Sequence, residues 1–236
     1  MKINKDTFDL ETKSIISHTA RYGNDAQFRA QWLGFSEESR NYRSQQLRVF
    51  GELIGTITNT FSSWHILDFG CGDGRWLRTF LEFDADPNKL IGIDISDLRF
   101  GIALSINPLI TYIKIDGLIL PFQSSQFELV TQFTCFSSIP NFNLRRRIAN
   151  EIYRVLKPGG YIFWWDLFHT VAPLEKDSHL DPKDYFDLPI LQYELGPMPR
   201  LSECLRGPRL INQLITPIID IFSYPSTHLA ALVGPK

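Results

Sequence analysis

The sequence predicts an α/β protein: a doubly wound, mostly parallel sheet of about seven strands with helices on both faces and a small helical cap. Three observations point there. From Trp64 onward, short apolar runs closed by Gly or Asp alternate with stretches able to form a helix, which is the pattern of βα units. A glycine-rich turn follows the first of these runs. The length of 236 residues, with 44% apolar and 21% charged residues, suits one globular domain plus a cap, and two full domains would be cramped.

Residues 1–60 read as a helical leader, and residues 61–236 as the main domain. Within the leader, Leu47, Val49, Phe50, Leu53 and Ile54 recur at helical spacing. The expected strands are HILDF (65–69), LIGIDI (90–95), ITYIKI (110–115), FELVTQF (127–133) and YIFWWDL (161–167). Between the last two, Ile148, Ile152, Val155 and Leu156 form an apolar helical stripe, stopped by Pro158, Gly159 and Gly160 ahead of a sharp turn into the fifth strand. ILQYEL (190–195) and THLAALV (227–233) supply two closing strands, with a helical insertion near 201–222 between them.

The charge balance excludes some partners. With 24 Lys and Arg against 26 Asp and Glu, the formal charge is −2, so no bulk positive field draws in a nucleic-acid backbone. The start of the chain is broken by charge before any signal-length apolar stretch, and no later run reaches membrane-span length, which predicts a cytoplasmic protein without a membrane association. Cys71, Cys135 and Cys204 are odd in number and lack CxxC spacing, so they read as reduced packing residues.

HILDFGCGDGRWL places Asp68, Gly70, Gly72 and Gly74 at a strand-to-helix turn, where residues without a Cβ let the backbone approach a ligand. A plain tight βα connection has the same look. A dinucleotide fingerprint needs a third Gly where Arg75 stands, and a P-loop needs Lys followed by Ser or Thr where Arg75-Trp76 stands. NAD, FAD and ATP are thereby disfavoured, leaving a nucleoside with a zwitterionic amino-acid tail that uses open backbone groups and no anion clamp. The second strand ends in Asp94, whose carboxylate can accept from both hydroxyls of a ribose, with Ile95 beside it to cover a flat base. The third ends in Asp116-Gly117, suited to an exocyclic amine and a ring nitrogen.

DFGCGDG, GIDIS, DGLILPFQSSQFELV and VLKPGG stand in the order and spacing of the class I S-adenosylmethionine-dependent methyltransferases, which the chain resembles over residues 64–167, and within them the type 11 group. The resemblance implies a Rossmann-like sheet and S-adenosyl-L-methionine as cofactor. It implies that Asp68, Gly70, Cys71, Gly72 and Gly74 line the methionine part, that Asp94 holds the ribose, that Asp116 and Gly117 address the adenine, and that Gln132 lies near the sulfonium. Glu128 departs from the family's usual Asp, at a position flanking the strand. LVTQFTCFSSI with YIFWWDLF is similar to a bacterial subgroup associated with glycan or small secondary-metabolite modification.

Methyl transfer is a one-step displacement that needs in-line positioning more than a strong catalytic group. For a hydroxyl acceptor, Asp166 and His169 near the tip of the fifth strand are the candidate bases, with a turn cap and a loop residue as their plain structural readings. They are too few carboxylates for a dedicated Mg²⁺ site, so no metal is expected. Tyr22 and Trp32 in the leader and Phe133 after the fourth strand are expected to line a small-molecule acceptor site, while Trp164 and Trp165 face opposite ways and cannot both do so. The expected function is methyl transfer to oxygen or nitrogen of a small-molecule or sugar-like acceptor. The alternatives are an RNA or protein methyltransferase and a non-catalytic cofactor-binding subunit.

Overall fold

The computed structural model describes residues 37–115, 119–139, 141–167, 180–195 and 228–236. Helix α1 (Glu37–Ile54) is followed by strand β1 (Ile66–Phe69), helix α2 (Arg75–Glu82), β2 (Leu90–Asp94), α3 (Asp97–Ile106), β3 (Thr111–Lys114), β4 (Phe127–Phe133), α4 (Phe142–Val155), β5 (Leu156–Leu167), β6 (Ile190–Leu195) and β7 (His228–Val233). The seven strands form one sheet in the order β3-β2-β1-β4-β5-β7-β6. β1 to β5 pair in parallel, and β7 runs antiparallel between β5 and β6. The expected doubly wound, mostly parallel sheet is therefore present. The chain reverses direction across the sheet between β1 and β4, which opens a crevice at the carboxyl ends of those strands.

Alternation along each strand sorts the apolar side chains into two layers. On one face Ile66, Leu129, Phe163, Trp165, Ala230 and Leu232 pack under α1, α2 and α3; on the other Leu67, Val130, Ile162, Trp164, Ala231 and Val233 pack under α4. The helical stripe read from the leader is the buried face of α1: Val49, Phe50, Leu53 and Ile54 are buried and Leu47 is half-buried. The helices start at caps that satisfy free backbone N–H groups. Ser96 Oγ accepts from the Arg99 amide at the start of α3, and Asn141 Oδ1 accepts from the Leu144 amide at the start of α4.

One boundary differs from expectation. Lys157–Gly160 reads locally as a turn, yet β5 begins at Leu156, which pairs with Phe127, and the ladder resumes with Leu129 opposite Tyr161. The four intervening residues are a bulge in one long strand, held by Gly159 and Gly160, which exchange backbone hydrogen bonds with Lys236. The departure at Glu128 is explained in the same region. Its carboxylate accepts from the His65 amide at 2.7 Å and from Lys157 Nζ, at the opposite end of β4 from the crevice.

The β3–β4 connection is held from α4. Arg154 donates to the Phe122 carbonyl at 2.8 Å and the Leu120 carbonyl at 2.9 Å, while its ion-pair partner Glu151 accepts from the Leu120 amide at 2.9 Å. Because the pair meets three backbone groups, it contributes more than a surface ion pair does.

Phe50 joins α1 to the sheet, with its ring 5.0 Å from Phe163, 5.3 Å from Trp76 and 5.6 Å from Phe80. Phe50→Ala is expected to lower unfolding stability by about 3–5 kcal/mol, the cost of a large cavity in an aromatic core. Urea unfolding checks this, and a loss below about 1 kcal/mol would show that α1 is not part of the cooperative core.

Candidate functional site

The glycine turn after β1 is tied to the tip of β2. The amides of Gly70 and Cys71 both donate to the Ile93 carbonyl, at 2.8 and 2.9 Å. One Asp94 carboxylate oxygen accepts from the Gly72 amide and the other from the Ser96 amide, each at 2.8 Å. Gly70 and Gly74 have φ of 72° and 73°, a region that residues with a Cβ rarely adopt. Close packing adds a second reason for glycine: a Cβ on Gly70 would collide with the Cys135 side chain, and one on Gly74 would lie 2.5 Å from Tyr112 Oη. The turn is thus more than a tight connection. It is a rigid backbone loop, closed from below by side chains, in which Gly74 delivers the chain directly into α2.

Asp68, at the tip of β1, is buried and accepts a hydrogen bond from Thr131 Oγ1 at 2.8 Å. Desolvation raises its pKa to about 7, and the nearby Asp94 and Asp73 charges add to the rise against the Thr131 bond. Gln132, at the tip of β4, is fully buried; its Oε1 accepts from the Cys135 amide at 3.1 Å, which leaves Nε2 buried and without a partner. Ile95 is half-buried beside Asp94. Cys71 and Cys135 are free thiols, both pushed well above their ordinary pKa by burial, so neither is primed as a nucleophile.

Asp166 is fully buried, and burial raises its pKa to about 6. Its oxygens accept from the Leu167 amide at 2.8 Å and the Ser137 amide at 3.2 Å, so it ties the turn after β4 to the end of β5. Phe133 stacks flat on Trp76, with centroids 3.8 Å apart and 6° between planes. Trp164 and Trp165 are both fully buried, on opposite faces of the sheet. Tyr22, Trp32, Asp116, Gly117 and His169 lie outside the described residues, as does the expected insertion near 201–222.

Two features lay beyond the sequence reading. The Arg43 guanidinium of α1 sits 4.3 Å above the Trp76 ring and donates to Thr79 Oγ1, while its Nη1 is buried without a partner. Desolvation, reinforced by Arg75, lowers its pKa to about 10. One nitrogen of this cation is thus buried without a partner over the first turn of α2. In addition, Trp165 Nε1 donates to Tyr42 Oη at 3.2 Å, and Tyr42 Oη lies 3.4 Å from Nε2 of His228, which desolvation holds neutral down to about pH 4. The only signal for it in the sequence was a lone His opening an otherwise apolar strand.

A rigid glycine loop, a strand-tip carboxylate beside it and unpaired buried donors around it fit a nucleoside with a charged amino-acid tail. Residues 66–160 match a family model described as a methyltransferase domain. The chain is 28% identical over 142 residues to the demethylmenaquinone methyltransferase of Lactococcus lactis, an alignment covering 58% of this chain and 52% of that protein, so the chain spans about half the length of that curated relative. Among solved structures, a protein of Pyrococcus horikoshii superposes with a TM-score of 0.62 at 14% identity, over 92% of this chain and 99% of that one. The phosphoethanolamine N-methyltransferase 2 of Haemonchus contortus, solved with S-adenosyl-L-methionine, superposes with a TM-score of 0.56 at 19% identity, over 95% of this chain and 57% of that one. These two likenesses concern the fold alone. The domain is that of a class I methyltransferase. The family match covers less than half of the chain, and over those residues the chain is similar to the methyltransferase-domain family.

The raised pKa of Asp68 carries a pH dependence of definite sign. The folded chain keeps this proton up to about pH 7, whereas an unfolded Asp loses it near pH 4, so the stability associated with the group is full at low pH and is lost as pH rises through 7. Asp166 acts with the same sign up to about pH 6. Asp68→Asn is expected to flatten the fall in stability between pH 4 and pH 7 relative to wild type. Urea titrations at several pH values check this, and an unchanged slope would mean that Asp68 ionises normally.

Proposed function

We propose that the protein transfers the methyl group of S-adenosylmethionine to oxygen or nitrogen of a small-molecule or sugar-like acceptor by direct in-line displacement. The observation that carries this reading is the clamp of the glycine loop by Asp94, which sets a ligand-facing backbone next to a carboxylate with lone pairs to spare. The near-neutral charge of the chain supports a small acceptor over a nucleic acid.

The cofactor supplies an electrophilic methyl on a sulfonium; the chain supplies position. In this reading Asp94 accepts from the ribose hydroxyls, and Ile95, Asp116 and Gly117 frame the adenine. Gly70, Cys71, Gly72 and Gly74 face the amino-acid tail, whose ammonium meets Asp68 and whose carboxylate meets Arg43. Gln132 turns its unpaired Nε2 toward the reacting end. Such fixed geometry supplies roughly 7–11 kcal/mol of a displacement barrier. Asp166, with both oxygens on backbone amides, is a positioning residue that holds the β4 turn; His169 is then the remaining candidate for taking an acceptor proton. Tyr22, Trp32 and Phe133 remain the proposed acceptor contacts.

Calorimetry tests the reading directly. S-adenosylhomocysteine is expected to bind and NAD to give no heat. Asp94→Ala is expected to weaken binding by at least about 1.5–3 kcal/mol, the scale of hydrogen bonds to a charged acceptor. An NAD isotherm without an S-adenosylhomocysteine one, or unchanged affinity in a folded Asp94→Ala variant, would sink the assignment.

A further inference from the structure

The face of the sheet under α4 carries a second set of polar groups that the cofactor reading does not use. Arg145, in the first turns of α4, is only 4% exposed, yet its Nε and Nη1 have no hydrogen-bond partner, and no carboxylate among the described residues forms an ion pair with it. Two further buried polar atoms nearby are also unpartnered: Trp164 Nε1 and Tyr185 Oη. The residues are contiguous. The Arg145 guanidinium carbon lies 5.9 Å from the Phe142 ring, Phe142 is 5.8 Å from Tyr185, and Tyr185 stacks on Trp164 at 5.7 Å and 21°.

Chemistry narrows what this cluster lacks. Arg and Trp N–H groups can only donate, and a tyrosine hydroxyl can donate as well, so the set offers several donors and needs acceptors. Buried polar groups are nearly always satisfied, and an unpaired guanidinium out of water is among the costliest exceptions. The two carboxylates whose charges reach Tyr185 do not supply the need, since Asp166 is taken up by backbone amides and Asp184 makes no ion pair with Arg145. Planar donors in a fork favour a carboxylate or phosphate.

Position then relates the cluster to the reaction. In the parallel register Gln132 lies directly beside Trp164, on the same face of the sheet. Unpaired donors therefore run in a row from Gln132 Nε2 at the tip of β4, through Trp164 and Tyr185, to Arg145. Phe142 at the outer end is 42% exposed, so the row reaches the protein surface at that residue.

We propose that this row is the anion-binding part of the acceptor subsite, and that the acceptor is an acidic small molecule whose carboxylate or phosphate seats on Arg145, Tyr185 and Trp164 while its reacting atom lies toward Gln132. The inference rests on the methyl-transfer reading above, and narrows it to anionic acceptors.

Thermal unfolding of the protein saturated with S-adenosylhomocysteine tests it, using sodium 4-hydroxybenzoate and glucose 6-phosphate as probes. Methyl 4-hydroxybenzoate and glucose are the neutral counterparts, and sodium chloride holds ionic strength equal. At least one anion is expected to raise Tm by about 2–4 °C, as a ligand well above its Kd does for a chain of this size, while the neutral compounds leave it unchanged. Which anion responds separates carboxylate from phosphate. Arg145→Met is expected to lose the response while binding S-adenosylhomocysteine within twofold of wild type. Should that variant not fold, Arg145→Lys, which keeps the charge without the fork, is expected to lose at least half of the shift. The proposal is overturned if neither anion exceeds chloride, if neutral and charged probes act alike, or if the Arg145 variant responds as wild type does. Failure of wild type to bind S-adenosylhomocysteine would instead overturn the cofactor reading, leaving the Arg145-dependent anion response to be scored separately without cofactor.

Discussion

The hydrogen bond that the Asp94 carboxylate accepts from the Gly72 amide, with the two that the Ile93 carbonyl accepts from Gly70 and Cys71, locks the end of β2 to the loop after β1, while the Ser96 amide fixes the carboxylate from its own strand end. Everything ligand-facing on this side of the molecule depends on that lock. A loop of three positive-φ glycines is expensive to order, because glycine loses more backbone freedom on folding than any other residue. Three backbone N–H bonds from the loop to one strand tip, one of them to the Asp94 carboxylate, offset that cost and shape the loop. The same carboxylate that organises the loop is the group proposed to receive the ribose, so loop order and cofactor affinity are coupled through one side chain.

Strand alternation divides the crevice into two chemically different sides. Asp68, Phe133 and Trp165 lie toward α1 and α2, where Arg43 and the glycine loop supply a carboxylate, a cation and open backbone. Gln132, Trp164 and Asp166 lie toward α4, where the unpartnered groups are nearly all donors. A zwitterionic ligand tail suits the first side and an anionic ligand suits the second. Both sides are built by packing against a single sheet, and no described helix is long and apolar enough to cross a membrane.

Local patterning made much of this visible in advance. β4 and β6 fall where FELVTQF and ILQYEL stand, because short apolar runs bounded by turn residues carry their own limits. The glycine loop and Asp94 were legible for the same reason: their geometry arises within a few residues of chain. The start of β5 was not, since Lys157–Gly160 looks like a turn until Phe127 and Lys236 are seen to pair on either side of it. Arg43 and Arg145 left no trace either. What distinguishes them is guanidinium nitrogens buried without a partner, beside aromatic rings that sequence alone does not bring together with them. Asp166 at a strand tip reads as a base or as a turn cap; what separates the two is the turn at Phe136–Ser138, which takes one of its oxygens and follows another strand.

A crystal structure with S-adenosylhomocysteine tests the central claim, that a loop pre-shaped by Asp94 is the cofactor cradle. The account predicts the ribose hydroxyls on Asp94, the amino-acid tail over Gly70–Gly74 between Asp68 and Arg43, and the Gly72–Asp94 bond intact. Ligand bound away from the β2 tip, or a loop that must release Asp94 to admit it, would contradict the account.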